Sequence, residues 1–407
     1  MASPVQVQLP DDIVYCNILP RLPFRTLMRL TAVCKAWRRT ILGNDQGAFA
    51  AMQSQTPSPA SVAIAWCLQG SLRILSPTSA DDVRPRDRHL TFLEVNHTRL
   101  DFCASTGGVL CLMERPDPDD ERYQCWQWGN PREHACNFFV VNPNPTTHRI
   151  RRVPYEGVAV TAGLAYDPET APREGFQLVV PVAEDGGRCR FRRFASRRAG
   201  WSASREAFAL PQLEEFQPKP AYAGGRVHWL AGDVVVWYDL GDDNAGTTPL
   251  PVAGNLEERD GNHHDLGAWR GRLRLARVNT LGVWVWELAG GAGAGRWETV
   301  RSRMWEKVPG LICPGTVVME AGGEKAVSVA VRMECEDDGP SKKTSSLRRG
   351  LLRYDMRTGP ALAMLNPSEH PEMGLLLDYH SRMAKLPDIA WDRRKHPRIG
   401  HKSLWGA

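Results

Sequence analysis

Three short stretches of this chain carry residue types able to do chemistry. Cys125, His134 and Cys136 sit in a polar insertion, and thiolate and imidazole are zinc ligands. Their spacing matches no zinc motif, and no Cys-x-x-Cys accompanies them. His263-His264-Asp265 has the residue types of a catalytic or metal-binding group. It lies in EERDGNHHDLG, whose Asn, Asp and Gly predict an exposed loop. Gly290 to Arg296, GGAGAGR, has the glycines of a phosphate loop. It lacks the Lys-Ser/Thr ending and no helical pattern follows, so it reads as a hairpin loop. No Gly-x-Ser-x-Gly elbow is present. The expectation is therefore no catalysis, no metal and no cofactor.

With no reacting group to position, the elements themselves must carry the function. The 407 residues are enough for a large core and more than one domain. Apolar content of 42% and charged content of 24% are ordinary for globular protein. A net charge of +5 with scattered bases is too mild to predict a nucleic-acid partner. No run of 18 apolar residues occurs, so no membrane span is expected. The first residues, MASPVQVQLPDD, have neither the charged nor the apolar region of a secretory signal. Ten cysteines are spread singly, as expected of reduced thiols, mostly in core positions, of an intracellular protein of cytoplasm or nucleus.

Residues 9–43 stand apart from the rest. Pro10 followed by Asp11 and Asp12 marks a helix start. Ile13, Ile18, Leu19 and Leu22 follow, and Pro20 and Pro23 break the chain. From Phe24 a second helical pattern places Leu27, Leu30, Cys34, Trp37 and Ile41 on one stripe. Arg25, Arg29, Lys35, Arg38 and Arg39 fall between them and are expected to face water. So short a helical segment buries little alone and needs a partner surface or the rest of the chain to cover it.

The stretch LPDDIVYCNILPRLPFRTLMRLTAVCKAWRRTI resembles an F-box. Leu9-Pro10, the acids, Ile18-Leu19, Leu22-Pro23, Leu27 and Leu30, Val33-Cys34-Lys35 and Trp37-Arg38 appear in that family's order. Pro20 after Ile-Leu and Thr31-Ala32 depart from it without disturbing the apolar register. The resemblance implies three helices that dock a Skp-type adaptor and, through it, a cullin–RING ubiquitin ligase. The implied anchors are Leu9, Pro10, Ile13, Ile18, Leu19, Leu22, Pro23, Leu27, Leu30, Val33 and Trp37, some of which must instead hold the helices together.

Residues 44–60 lose the stripe and end in Thr-Pro-Ser-Pro, a linker by composition, while residues 1–8 read as a tail. Over residues 61–383 short apolar runs alternate with Gly, Pro, Asn and Asp turns, which predicts strands. One unit recurs, with equivalent strands centred near Val140, Arg192, Trp237, Val285 and Arg353. Its period of about 40–50 residues predicts a β-propeller of five to seven blades, six by our reading. SVAIAWCLQGSLRILSP supplies strands for one of them. A sandwich or a pair of smaller all-β domains is the alternative. ECEDDGPSKKTSSLRR reads as an inserted loop.

VVNPNPTTHRIRRVP, GLAYDPET, GGRVHWLAGDVVVWYDL and LGVWVWEL resemble the F-box-associated domain that follows the F-box in many plant proteins. That resemblance implies capture of a target protein. Most tryptophans of this region are expected in the core. Trp126 and Trp128, in an insertion between strands, are the candidates for target contact. Residues 384–407 form a basic tail. The function expected is substrate recognition in an SCF-type (Skp–cullin–F-box) ubiquitin ligase. The alternatives are a propeller enzyme or a non-degradative scaffold with a helical cap.

Overall fold

The computed structural model describes residues 9–22, 24–42, 48–49, 52–53, 62–66, 72–75, 89–90, 98–116, 135–142, 149–157, 159–168, 174–251, 263–269, 271–279, 282–290, 295–304, 311–319, 326–336, 345–355, 359–364 and 376–379. A helical stretch comes first, continuing through a π turn, Ile13–Ile18, into a 3-10 turn, Leu19–Arg21. Helices α1 (Phe24–Leu30) and α2 (Lys35–Leu42) follow. Among the described residues, no helix is long and apolar enough to cross a membrane.

Among the described residues the β region is strand and turn, with one 3-10 turn at Leu213–Glu215. β1 (Val62–Trp66), β2 (Leu72–Leu75) and β3 (His89–Leu90) pair in order. The second sheet holds β4 (Thr98–Thr106), β5 (Val109–Pro116), β6 (Ala135–Asn142) and β7 (Arg149–Glu156). The third holds β8 (Gly163–Tyr166), β9 (Phe176–Glu184), β10 (Arg188–Ala195) and β11 (Gly200–Ala203), and β12 (Phe208–Ala209) also pairs with β10. The fourth holds β13 (Ala221–Ala223), β14 (Arg226–Ala231), β15 (Val234–Asp239) and β16 (Asn244–Pro249). The fifth holds β17 (His263–Trp269), β18 (Arg272–Val278), β19 (Gly282–Ala289) and β20 (Arg296–Met304). The sixth holds β21 (Leu311–Met319), β22 (Ala326–Glu336), β23 (Ser345–Asp355) and β24 (Gly359–Met364). β25 (Leu376–Tyr379) returns to pair with β1, so both ends of the β region build the first sheet.

All these pairings are antiparallel, and β4–β7, β13–β16, β17–β20 and β21–β24 are simple four-stranded meanders. The recurrence read in the sequence is real: Val140, Arg192, Trp237, Val285 and Arg353 each lie in the third strand of their sheet. Neighbouring sheets touch through their leading strands. β4 lies against β8, β8 against β13, β13 against β17, β17 against β21, β21 against β25 and β25 against β4. This all-β arrangement is compatible with a propeller-like domain.

The apolar residues bury between successive sheets rather than in one central mass. Phe138 and Tyr155 of the second sheet pack with Phe176 and Phe194 of the third. Phe191 of the third stacks on Tyr238 of the fourth, with ring centroids 4.5 Å apart. Leu230 and Val235 of the fourth meet Leu266, Leu275 and Trp286 of the fifth. Trp229, Trp237 and Trp286 are buried as expected, while Trp201, Trp284 and Trp297 are partly buried against these layers. Trp201 of β11 donates its Nε1–H to the Pro154 carbonyl of β7 at 2.8 Å. Trp297 of β20 does the same to the Pro249 carbonyl of β16 at 2.7 Å. Both bonds tie the outermost strand of one sheet to that of its neighbour. At Gly163, in β8, a Cβ would overlap Val227 Cγ1, so the third and fourth sheets approach as closely as they do because that position has no side chain.

Three expectations need correction. Phe49 and Met52, from the stretch read as linker, belong to the helical unit's core. His263-His264-Asp265 opens strand β17 instead of forming a loop, because its residues pair with Val278, Arg277 and Ala276. The inserted acidic and basic stretch is partly strand, with Glu334, Cys335 and Glu336 paired to Leu347, Ser346 and Ser345.

Candidate functional site

The helical unit is built by proline chemistry and a small core. The Pro10 carbonyl accepts the first-turn N–H groups of Ile13 and Val14 at 3.1 and 3.2 Å. Pro20 has no N–H, and its ring opposes a carbonyl four residues back, which gives a physical reason for the departure from α geometry ahead of it. In the π turn the backbone bond spans five residues, as from Leu19 N–H to Val14 O. Residues five apart therefore share a side. Val14 and Leu19 turn inward to the core, and Ile13 and Ile18 turn outward.

α1 ends at Leu30, and the turn 31–33 interrupts the single stripe that the spacing suggested. Cys34 is consequently not on an apolar face. It is exposed, and its Sγ accepts the Trp37 N–H at 3.4 Å at the start of α2. Leu19, Leu27, Ile41 and Phe49 are fully buried, with Val14, Tyr15, Leu22, Met28, Leu30, Trp37 and Met52 packed around them. Gln53, itself buried, donates its Nε2–H to the Leu22 carbonyl at 3.4 Å. The described residues of this core lie between Val14 and Met52.

The structure thus sorts the anchors read from sequence. Leu19, Leu22, Leu27, Leu30 and Trp37 hold the helices to one another. Leu9, Pro10, Ile13, Ile18 and Val33 are exposed. Pro23 lies outside the described residues. The fractional exposures are 53% for Leu9, 38% for Ile13, 37% for Ile18, 61% for Val33 and 40% for Leu42. These five large hydrophobic side chains stand exposed, and every one belongs to the helical unit. Leu42 was missed in the sequence. Its signal was the Ile41-Leu42 pair, of which only one member can face inward on a helix. Arg29, Lys35, Arg38 and Arg39 face water as expected. Desolvation, then Asp11 and Cys34, push the Tyr15 phenol above its ordinary value.

The chemical constellations fare differently. Trp126, Trp128, Cys125 and His134 lie outside the described residues. Cys136 is buried in the core between the second and third sheets with Cys103 and Cys111. Burial, then Cys103, pushes the Cys111 thiol up, away from the nucleophilic thiolate. Among the described residues, no group of three or more His, Cys, Asp or Glu is placed to hold a metal ion. Asp265 is buried and forms an ion pair with Lys219 at 2.7 Å, linking the start of β17 to the residues before β13. His228, wholly buried in β14, puts Nε2 3.3 Å from the Ala223 carbonyl, and burial lowers its pKa to about 4. It is therefore neutral at physiological pH. GGAGAGR spans the β19–β20 connection, the hairpin position expected of it. Among the described residues, the exposed apolar side chains of the helical unit are groups of the kind that bind another polypeptide.

No protein-family model and no curated protein sequence matches the chain. Solved structures similar to it include the SapL1 lectin in complex with alpha methyl fucoside, 13% identical, covering 76% of this chain and 97% of that one at a TM-score of 0.40. A putative 6-phosphogluconolactonase from Bacteroides fragilis is 10% identical, with 76% of this chain and 100% of that chain covered at a TM-score of 0.35. The WD40 domain of SCAP from fission yeast is 9% identical, with 72% and 71% covered at a TM-score of 0.32. Likenesses this distant carry no argument about what this chain binds or catalyses.

Proposed function

We propose that the chain is the substrate-recognition subunit of an SCF-type ubiquitin ligase, a plant-type F-box protein with an F-box-associated β domain. The helical unit docks a Skp-type adaptor and through it a cullin–RING ligase. The β region is a six-bladed propeller, closed where β25 joins the first sheet, and it holds the target protein. The subunit makes and breaks no covalent bond. Its effect is proximity, raising the local concentration of target lysines at the ubiquitin-carrying enzyme.

One observation carries this reading. A helical unit with an apolar core of its own keeps Leu9, Ile13, Ile18, Val33 and Leu42 in water. Exposed apolar groups gathered on one small unit mark an interaction surface. The motif order around Leu9-Pro10 and Val33-Cys34-Lys35 supports the adaptor as the occupant. The ring of leading-strand contacts supports the closed propeller. The test is capture of recombinant Skp-type adaptor by the full chain and by its Leu9→Ala/Pro10→Ala variant. Capture by the parent, lost in the variant while the strand signal in circular dichroism stays, is expected. Equal capture by both overturns the assignment.

A further inference from the structure

The charged side chains of helix α2 are all basic. From Ile13 to Asn44 the sequence holds six bases and no acid. Lys35, Arg38, Arg39 and Leu42 recur at three- and four-residue spacing, so they share one side of α2, and all four are exposed. Val33, in the turn just before α2, is exposed as well. The outward side is therefore three bases bracketed by two apolar residues, while Trp37 and Ile41 occupy the inward side.

That pattern opposes helix stability in two ways. Lys35 lies in the first turn, where the helix dipole favours an acid and none is present. Lys35 repels Arg38 and Arg39 at three and four residues, a spacing at which like charges destabilise a helix. Only Arg39, in the last turn, is favourably placed. Local preferences are broken where function requires it, and α2 itself supplies no negative charge.

We infer that the outward side of α2 is the charged half of the docking surface, and that its occupant is a polypeptide whose apolar groove is walled by carboxylates. Val33 and Leu42 enter the groove, and Lys35, Arg38 and Arg39 meet the wall. This rests on the docking reading above and adds to it the partner's charge and the salt dependence of the contact. Charge complementarity of this kind accelerates encounter and is screened by salt.

The experiment titrates recombinant Skp-type adaptor against the full chain and its Lys35→Gln/Arg38→Gln/Arg39→Gln variant, from low to high salt. The variant should bind about tenfold more weakly at low salt, converge on the parent at high salt, and melt no lower than it. Leu9→Ser/Val33→Ser, measured beside it, should weaken binding equally at every salt concentration. Loss in that variant, with the triple variant within twofold of the parent at low salt, overturns the charged-wall inference and leaves the docking reading standing. Failure of the parent to bind adaptor at any salt overturns both. A triple variant that loses affinity for anionic vesicles or heparin but keeps its affinity for adaptor also overturns the inference.

Discussion

Replacing Leu9 and Val33 together by serine separates docking from folding. Leu9 is 53% exposed and Val33 61% exposed in the free chain. Fully covering an aliphatic side chain contributes about 1.5–3 kcal/mol, so covering the exposed part of each contributes about 1–2 kcal/mol. The double substitution should cost about 2–3 kcal/mol of docking free energy, or about 30- to 150-fold in Kd. Neither side chain has a core contact to lose, and substitutions at such surface positions change stability by about 0.5 kcal/mol or less. Calorimetric titration with adaptor reads the first quantity, and thermal melting of the helical signal reads the second. Leu27→Ala is the contrasting variant. Leu27 is 0% exposed, and removing such a side chain costs about 2–5 kcal/mol, enough to unfold so small a unit. It should abolish docking and helicity together. The reasoning fails if the serine pair binds within threefold of the parent, or if it melts the helices as Leu27→Ala does.

Three further outcomes follow from the β region. Burial lowers the His228 pKa to about 4 against an ordinary 6.5, so its contribution is full above pH 6.5 and is lost as pH falls toward 4. Denaturant unfolding at pH 7 and pH 5 should show a loss of about 2 kcal/mol that His228→Leu removes from the pH slope; an unchanged slope refutes it. Gly163→Ala should destabilise by about 1–3 kcal/mol, read as a lowered Tm, since its methyl has Val227 and Trp229 in its way. Trp201→Phe, which keeps most of the ring contact but deletes the bond to the Pro154 carbonyl, should cost about 1 kcal/mol in the same melt, and Trp297→Phe a similar amount.

Much of this architecture was legible in the amino-acid order alone. A strand has to alternate and a turn has to carry Gly, Asn or Asp, so the recurrence through Val140, Arg192, Trp237, Val285 and Arg353 announced equivalent strands in successive sheets. The helical unit was equally visible, since prolines and apolar spacing are local facts. Tertiary structure decided the rest. Spacing could not say which of Leu9 to Trp37 face a core and which face water, because a π turn ahead of Pro20 changed the period and a turn at residues 31–33 rotated α2 against α1. It could not draw Phe49 into the helical core, place Asp265 against Lys219, or bring β25 back to β1. Those contacts join residues far apart along the chain. Their energies depend on which surfaces meet in space, and no window of sequence contains that information.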